Sequence, residues 1–105
     1  MATIIVLFNL KSDVSKEAYE DWAKTTDLKI VRGLKSIDNF EVFESQSLLG
    51  NEANPPYQYV EVLQVNDMDV FGAETSTDVM GDVAQQFQSF ADNPLFMLTE
   101  NIESK

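Results

Sequence analysis

The first hydrophobic block of the chain, Ile4-Ile5-Val6-Leu7-Phe8, is apolar at every position rather than at alternate ones. In an extended strand successive side chains point to opposite faces, so this block predicts a strand over Ala2–Leu10 that is covered on both sides. Ser15 follows as a helix N-cap, with Glu17, Glu20 and Asp21 early in the helix, where the dipole favours acids. At ~100° per residue, Ala18, Tyr19, Trp22 and Ala23 share one face and Glu17, Glu20, Asp21 and Lys24 the other. Asp27 is expected to begin a second short helical turn carrying Leu28, Ile30 and Val31, with Gly33 as its stop.

Alternation then resumes. Residues 39–47 are expected to form a strand with Phe40 and Val42 on one face and Glu41 and Phe43 on the other. Residues 50–56 form a turn-rich loop. Residues 57–65 predict a strand with Tyr57, Tyr59, Glu61, Leu63 and Val65 on one side and Gln58, Val60, Val62 and Gln64 on the other. A helical region starts at Asn66-Asp67 and is expected to break near Gly72. From Thr77 or Asp78 a clear amphipathic helix places Val79, Met80, Val83, Ala84, Phe87, Phe90 and Ala91 within ~140° of arc, and Asn93-Pro94 is expected to end it. Residues 95–102 give a last strand, with a frayed tail at 103–105.

The predicted order is β-α-β-β-α-β, an α+β ferredoxin-like arrangement: a four-stranded antiparallel sheet with helices on one face. At 105 residues the chain suits one domain spanning 1–105. Two helices cover one sheet face only, yet the strands are apolar on both. A second copy packed sheet to sheet removes the exposed patch, so a homodimer is expected, with Ile5, Leu7, Val60 and Val62 against the partner sheet.

Composition narrows the chemistry. With no cysteine and no histidine, disulfides and thiolate chemistry are excluded, the commonest metal ligand is missing, and a cytoplasmic location is allowed. No cofactor or metal site is expected: Asp78 with Asp82, and Asp67 with Asp69, lack calcium-loop spacing and read as helix-start acids. A net charge of −11, with the seven Lys and Arg unclustered, argues against nucleic acid and anionic membrane surfaces. The first apolar run lacks a basic leader and is far below the ~18 residues of a membrane span.

Acid-base work therefore falls to carboxylates, Tyr or Lys. Glu61 stands mid-strand among apolar residues, where desolvation would raise its pKa and make it a general acid or base; the alternatives are pairing with Lys or Arg, or reaching water at a cleft mouth. Tyr59 beside it is a hydrogen-bond donor to a ligand, or else a core tyrosine. Ile4, Val6, Phe8, Tyr19, Trp22 and Phe87 are candidate walls for a flat ligand, with plain core packing as the alternative.

Ile4-Ile5-Val6-Leu7-Phe8-Asn9-Leu10-Lys11, the Val14-Ser15 helix start, Tyr59-Val60-Glu61-Val62 and Asn93-Pro94 resemble the dimeric α+β barrel superfamily. Within it the chain resembles the REDY-like proteins associated with prodigiosin-type tripyrrole pigment pathways. The resemblance implies a sheet-on-sheet dimer with a helix–sheet cleft in each subunit. It also implies an accessory protein or tailoring enzyme of secondary metabolism that takes a small aromatic or apolar intermediate, such as a cofactor-independent oxygenase or cyclase-like enzyme. A non-catalytic ligand carrier and a stress-response structural oligomer are the alternatives. Stress-responsive and cyclase relatives carry His where this chain has Ile4, and cyclases another at Tyr59, so a His-based mechanism is not implied.

Overall fold

The computed structural model describes residues 1–105. Its elements are β1 (Ala2–Leu10), α1 (Lys16–Trp22), a π turn (Ala23–Asp27), α2 (Leu28–Arg32), β2 (Ile37–Glu44), β3 (Tyr59–Val65), α3 (Met68–Thr75), α4 (Asp78–Phe90), β4 (Ala91–Thr99) and a closing 3-10 turn (Ile102–Ser104). The strands form one antiparallel sheet in the order β2-β3-β1-β4. The expected ferredoxin-like α+β architecture is present. No helix is long and apolar enough to cross a membrane.

Register fixes the two faces. Val6 pairs with Glu61 and Phe8 with Tyr59 across β1 and β3, Val6 pairs with Phe96 across β1 and β4, and Val42 pairs with Glu61 across β2 and β3. Those side chains therefore share the helix-covered face. The core gathers there, with Phe8 fully enclosed by Tyr19, Tyr59 and Phe87 at ring-centroid distances of 5.4, 5.5 and 4.9 Å. The opposite face carries Ile5, Leu7, Phe43, Val60, Val62, Leu95 and Met97 and has no helix over it.

Several boundaries differ from the sequence expectations, each for a local reason. β2 begins at Ile37 because Ile37 is buried and pairs with Val65, and the strand ends at Glu44. β3 begins at Tyr59 because Gln58 is engaged elsewhere: its N–H donates to Asn9 Oδ1 at 2.9 Å and its side chain accepts from the Leu10 N–H at 2.6 Å. α3 runs through Gly72 without a break, started by Asp67, whose carboxylate accepts from the N–H groups of Asp69 and Val70.

Asn93-Pro94 does not end α4. The helix stops at Phe90, and β4 starts at Ala91, opposite Leu10. A register irregularity between Leu7 and Asn9 and a left-handed Asn93 (φ 46°) absorb the kink, and an edge strand tolerates proline because its N–H side needs no partner. β4 accordingly ends at Thr99, and Ile102 belongs to the closing turn.

Asp27 does not open a separate helix. α1, the π turn and α2 form one continuous helix over residues 16–32, with the Leu28 N–H reaching back five residues to the Ala23 carbonyl. The wider turn keeps Tyr19, Ala23, Asp27 and Val31, each four residues apart, on the buried side. Ala18 and Val79, expected on buried faces, are exposed, and Trp22 is half-buried.

A hydrogen-bond clamp ties α3 to the turn before β2. The Glu74 carboxylate accepts from the Lys35 N–H (2.8 Å), the Ser36 N–H (3.0 Å) and the fully buried Ser36 hydroxyl (2.6 Å). These charge-assisted bonds hold the carboxyl below its usual range. α3 is thereby fixed over the end of the sheet that borders the cleft.

Candidate functional site

Two cavities open between the helices and the sheet, and Glu61, Leu63 and Phe96 line both. The smaller, of about 140 Å³, is walled by Asp27, Phe40, Met80, Val83 and Phe87. The wider, of about 380 Å³, is walled by Ile4, Val6, Met68, Phe71 and Leu98. Phe96 and Leu98, 63% and 66% exposed, are the sheet's uncovered floor on this side. Together the cavities make an apolar cleft of small-ligand size with Glu61 where they meet.

Glu61 is 5% exposed and Asp27 also 5%. Neither has a cationic partner: the one salt bridge in the molecule joins Lys16 to Glu44 at the surface. Pairing with Lys or Arg, one alternative for Glu61, is thus not found. Its sole side-chain hydrogen bond comes from the Tyr19 hydroxyl, a long contact of 3.4 Å. Asp27 accepts no side-chain hydrogen bond, and no buried polar atom is sealed off without a partner, so its carboxyl is open to the smaller cavity.

Removal from water disfavours a carboxylate, and two carboxylates side by side disfavour each other. Burial pushes Asp27 up to about 7. Burial first, then the negative charge of Asp27, push Glu61 up to about 8, while the Tyr19 hydrogen bond acts weakly the other way. Burial and the adjacent Glu61 also raise the Tyr19 phenol, which stays protonated as a donor. Around neutral pH the pair therefore holds protons that ordinary carboxyls have lost, as a general acid or base requires.

The other candidate residues divide. Tyr59 is not the partner of Glu61; its hydroxyl donates to Glu20 at 2.7 Å and borders a separate hollow between α1 and β2. Burial and the Glu20 carboxylate raise its pKa. Ile4, Val6 and Phe87 line the cleft, whereas Tyr19 lines neither of its cavities, borders that separate hollow and meets the site only through its hydroxyl bond to Glu61. Phe8 is core, without access to any cavity. Trp22 lines none either: its ring lies 5.3 Å from Phe90 and its indole N–H donates to Gln86 at 2.6 Å.

Asp27, Phe96 and Leu98, with Leu63 and the cavity walls from α3 and α4 other than Phe87, are site residues that the sequence did not single out. A signal for Asp27 was present, since it falls four residues after Ala23 and eight after Tyr19, an acid on an apolar helix face.

Fold and cleft together define a ferredoxin-like α+β protein with an apolar helix–sheet cleft. The family model described as REDY-like protein HapK matches residues 2–102. The chain belongs to that family. It is similar to HapK from Hahella chejuensis, with 31% identity and a TM-score of 0.77 over 100% of this chain and 96% of that one. A dimeric ferredoxin-like protein of unknown function from Thermobifida fusca shares the fold at 14% identity and a TM-score of 0.76, covering 95% and 90% of the two chains. So does SnoaB, a cofactor-independent oxygenase from Streptomyces nogalater, at 10% identity and a TM-score of 0.74, covering 96% and 92%. No curated protein sequence matches.

Raised carboxyl pKa values are a stability statement. Between the ordinary values near 4 and the raised ones, the folded state binds protons that the unfolded chain has released, so stability falls as pH rises through about 7 and 8. The melting temperature is expected to rise on going from about pH 9 to about pH 6, by on the order of 3 kcal/mol or roughly 10 °C. Calorimetry checks this, and Glu61→Gln should flatten the dependence; a flat wild-type profile would contradict the buried acid pair.

Proposed function

We propose that this protein binds a small aromatic or apolar intermediate of secondary metabolism, of the prodigiosin type, in the helix–sheet cleft, and that Glu61 moves a proton on it. One observation carries the reading: a buried carboxyl without a counter-charge, set where two apolar cavities meet. A catalytic acid needs a pKa near working pH and access to the ligand, and the cleft supplies both. Tyr19 orients the carboxyl, Asp27 keeps it protonated, and Ile4, Val6, Phe87, Phe96 and Leu98 hold the ligand's apolar body. The likeness to a cofactor-independent oxygenase supports the fold's capacity for such a site, and family membership supports the pathway. We place the activity in the cytoplasm, a reading supported by a chain without cysteine.

The working form we infer is a homodimer through the outer sheet face. The contiguous apolar surface of Ile5, Leu7, Phe43, Val60, Val62, Leu95 and Met97 supports it, because monomers rarely leave such a patch wet. Ile5 sits at its centre, opposite Val62 and Met97. Ile5→Asp is expected to convert a dimer at micromolar concentration into a monomer by light scattering, with the helix–sheet cleft untouched. A wild-type monomer under those conditions contradicts the dimer.

For the ligand, incubation with an extract of pigment-producing cells followed by native mass spectrometry should show a retained aromatic small molecule. With the isolated intermediate, Glu61→Gln should abolish conversion while leaving melting temperature near neutral pH within a few degrees, because the amide mimics the protonated acid. Full conversion by that variant overturns the catalytic role of Glu61 and leaves a carrier.

A further inference from the structure

The ionisable side chains that line the cleft are of one sign. Asp27, Glu61, Thr75 and Gln88 are the polar groups of the two cavities, and no Lys or Arg lines either. Asp27 is the informative member: it is 5% exposed, borders the smaller cavity and accepts no hydrogen bond from another side chain. Its oxygens are open to that cavity rather than sealed in the core, so water or a ligand atom entering there can reach them. Above its raised pKa of about 7 the Asp27 carboxylate only accepts hydrogen bonds, so a group that binds it there is a donor.

We propose that the Asp27–Glu61 pair is the recognition site for a cationic nitrogen carried on an aromatic ligand body. The proposal rests on the cleft reading above and adds the chemistry of the ligand's polar end. An anionic ligand would meet two carboxyls in an apolar enclosure without a counter-charge. A neutral hydrocarbon would leave Asp27 unpartnered. A protonated amine or imine, in contrast, donates to both carboxyls in charge-assisted bonds and supplies the missing positive charge.

Surroundings agree with that choice. Phe87 and Phe96 line the smaller cavity with ring centroids 6.1 Å apart at 69°, presenting aromatic surface to the ligand beside the carboxyls. The titratable group facing the pair is the Tyr19 hydroxyl from α1, while the cavity linings contributed by α4, β2 and β4 carry no charge. At a net charge of −11 the whole protein attracts cations and repels anions at long range.

Three aromatic probes of one shape separate the possibilities: tryptamine, cationic; 3-ethylindole, neutral; and indole-3-propionate, anionic. Titration calorimetry on the wild-type protein at slightly alkaline pH, where the pair is ionised, is expected to rank them in that order. Tryptamine should bind roughly tenfold or more tightly than 3-ethylindole. Asp27→Asn should cut the ratio of tryptamine to 3-ethylindole affinity by a similar factor, and the wild-type ranking decides the matter should that variant fail to fold. Binding of 3-ethylindole with no gain for tryptamine overturns the cation site and leaves the apolar cleft intact. Tighter binding of indole-3-propionate overturns the cation site as well, and failure of all three probes to bind overturns both it and the cleft reading.

Discussion

In the register of β1 against β3, Val6 stands opposite Glu61 and Phe8 opposite Tyr59, and the two-residue period of the pleat carries that choice along every strand. A slip by one residue would turn Glu61 outward to the uncovered face and bring Val60 and Val62 beneath the helices. The enclosed ring of Phe8, packed on Tyr19, Tyr59 and Phe87, opposes such a slip, since an aromatic side chain of that size has no equivalent place on the other face. Core packing on one strand thus dictates where a carboxyl on its neighbour sits. The cleft, its acid pair and the apolar outer face all descend from this alignment.

The price of the alignment falls on Glu61. Ionising a carboxyl whose pKa has risen from an ordinary value to about 8 costs on the order of 5 kcal/mol of folding free energy at alkaline pH. A small domain has only ~5–15 kcal/mol in total. An apolar residue of similar volume at this position would be neutral or stabilising, so packing gives no reason for the acid. The π turn compounds the matter by keeping Asp27 on the same buried side as Tyr19 and Ala23. Two buried acids without a counter-charge support the proposed chemistry. Such wider turns recur at functional sites for a related reason, because they rotate one side chain out of the ordinary helical sequence of positions.

Much of this was legible in the chain before any coordinates. The unbroken apolar run of β1 and the alternation of β3 announced a sheet with two dry faces, and Glu61 was conspicuous as the acid in the wrong column. What escaped was set by contacts distant in sequence. Nothing local to Tyr59 says that its hydroxyl reaches Glu20, or that Tyr19 rather than Tyr59 meets Glu61. Trp22 lies on the amphipathic face as expected, yet Phe90 and Gln86 claim it from another helix. Asp27 was read as the beginning of a second helical turn, whereas the helix runs on continuously through it. Pro94 was read as a helix stop, whereas an edge strand with a kinked Asn93 accommodates it.

A single spectroscopic titration reaches the centre of the account. Carboxyl carbon-13 shifts of Glu61 and Asp27, assigned by comparison with Glu61→Gln and Asp27→Asn and followed across pH, report the protonation of each acid directly. The buried pair predicts midpoints near 8 and 7, coupled so that one acid loses its proton before the other. Midpoints at ordinary carboxyl values of about 4 would show both acids solvated, and would contradict the cleft on which the proposed function rests.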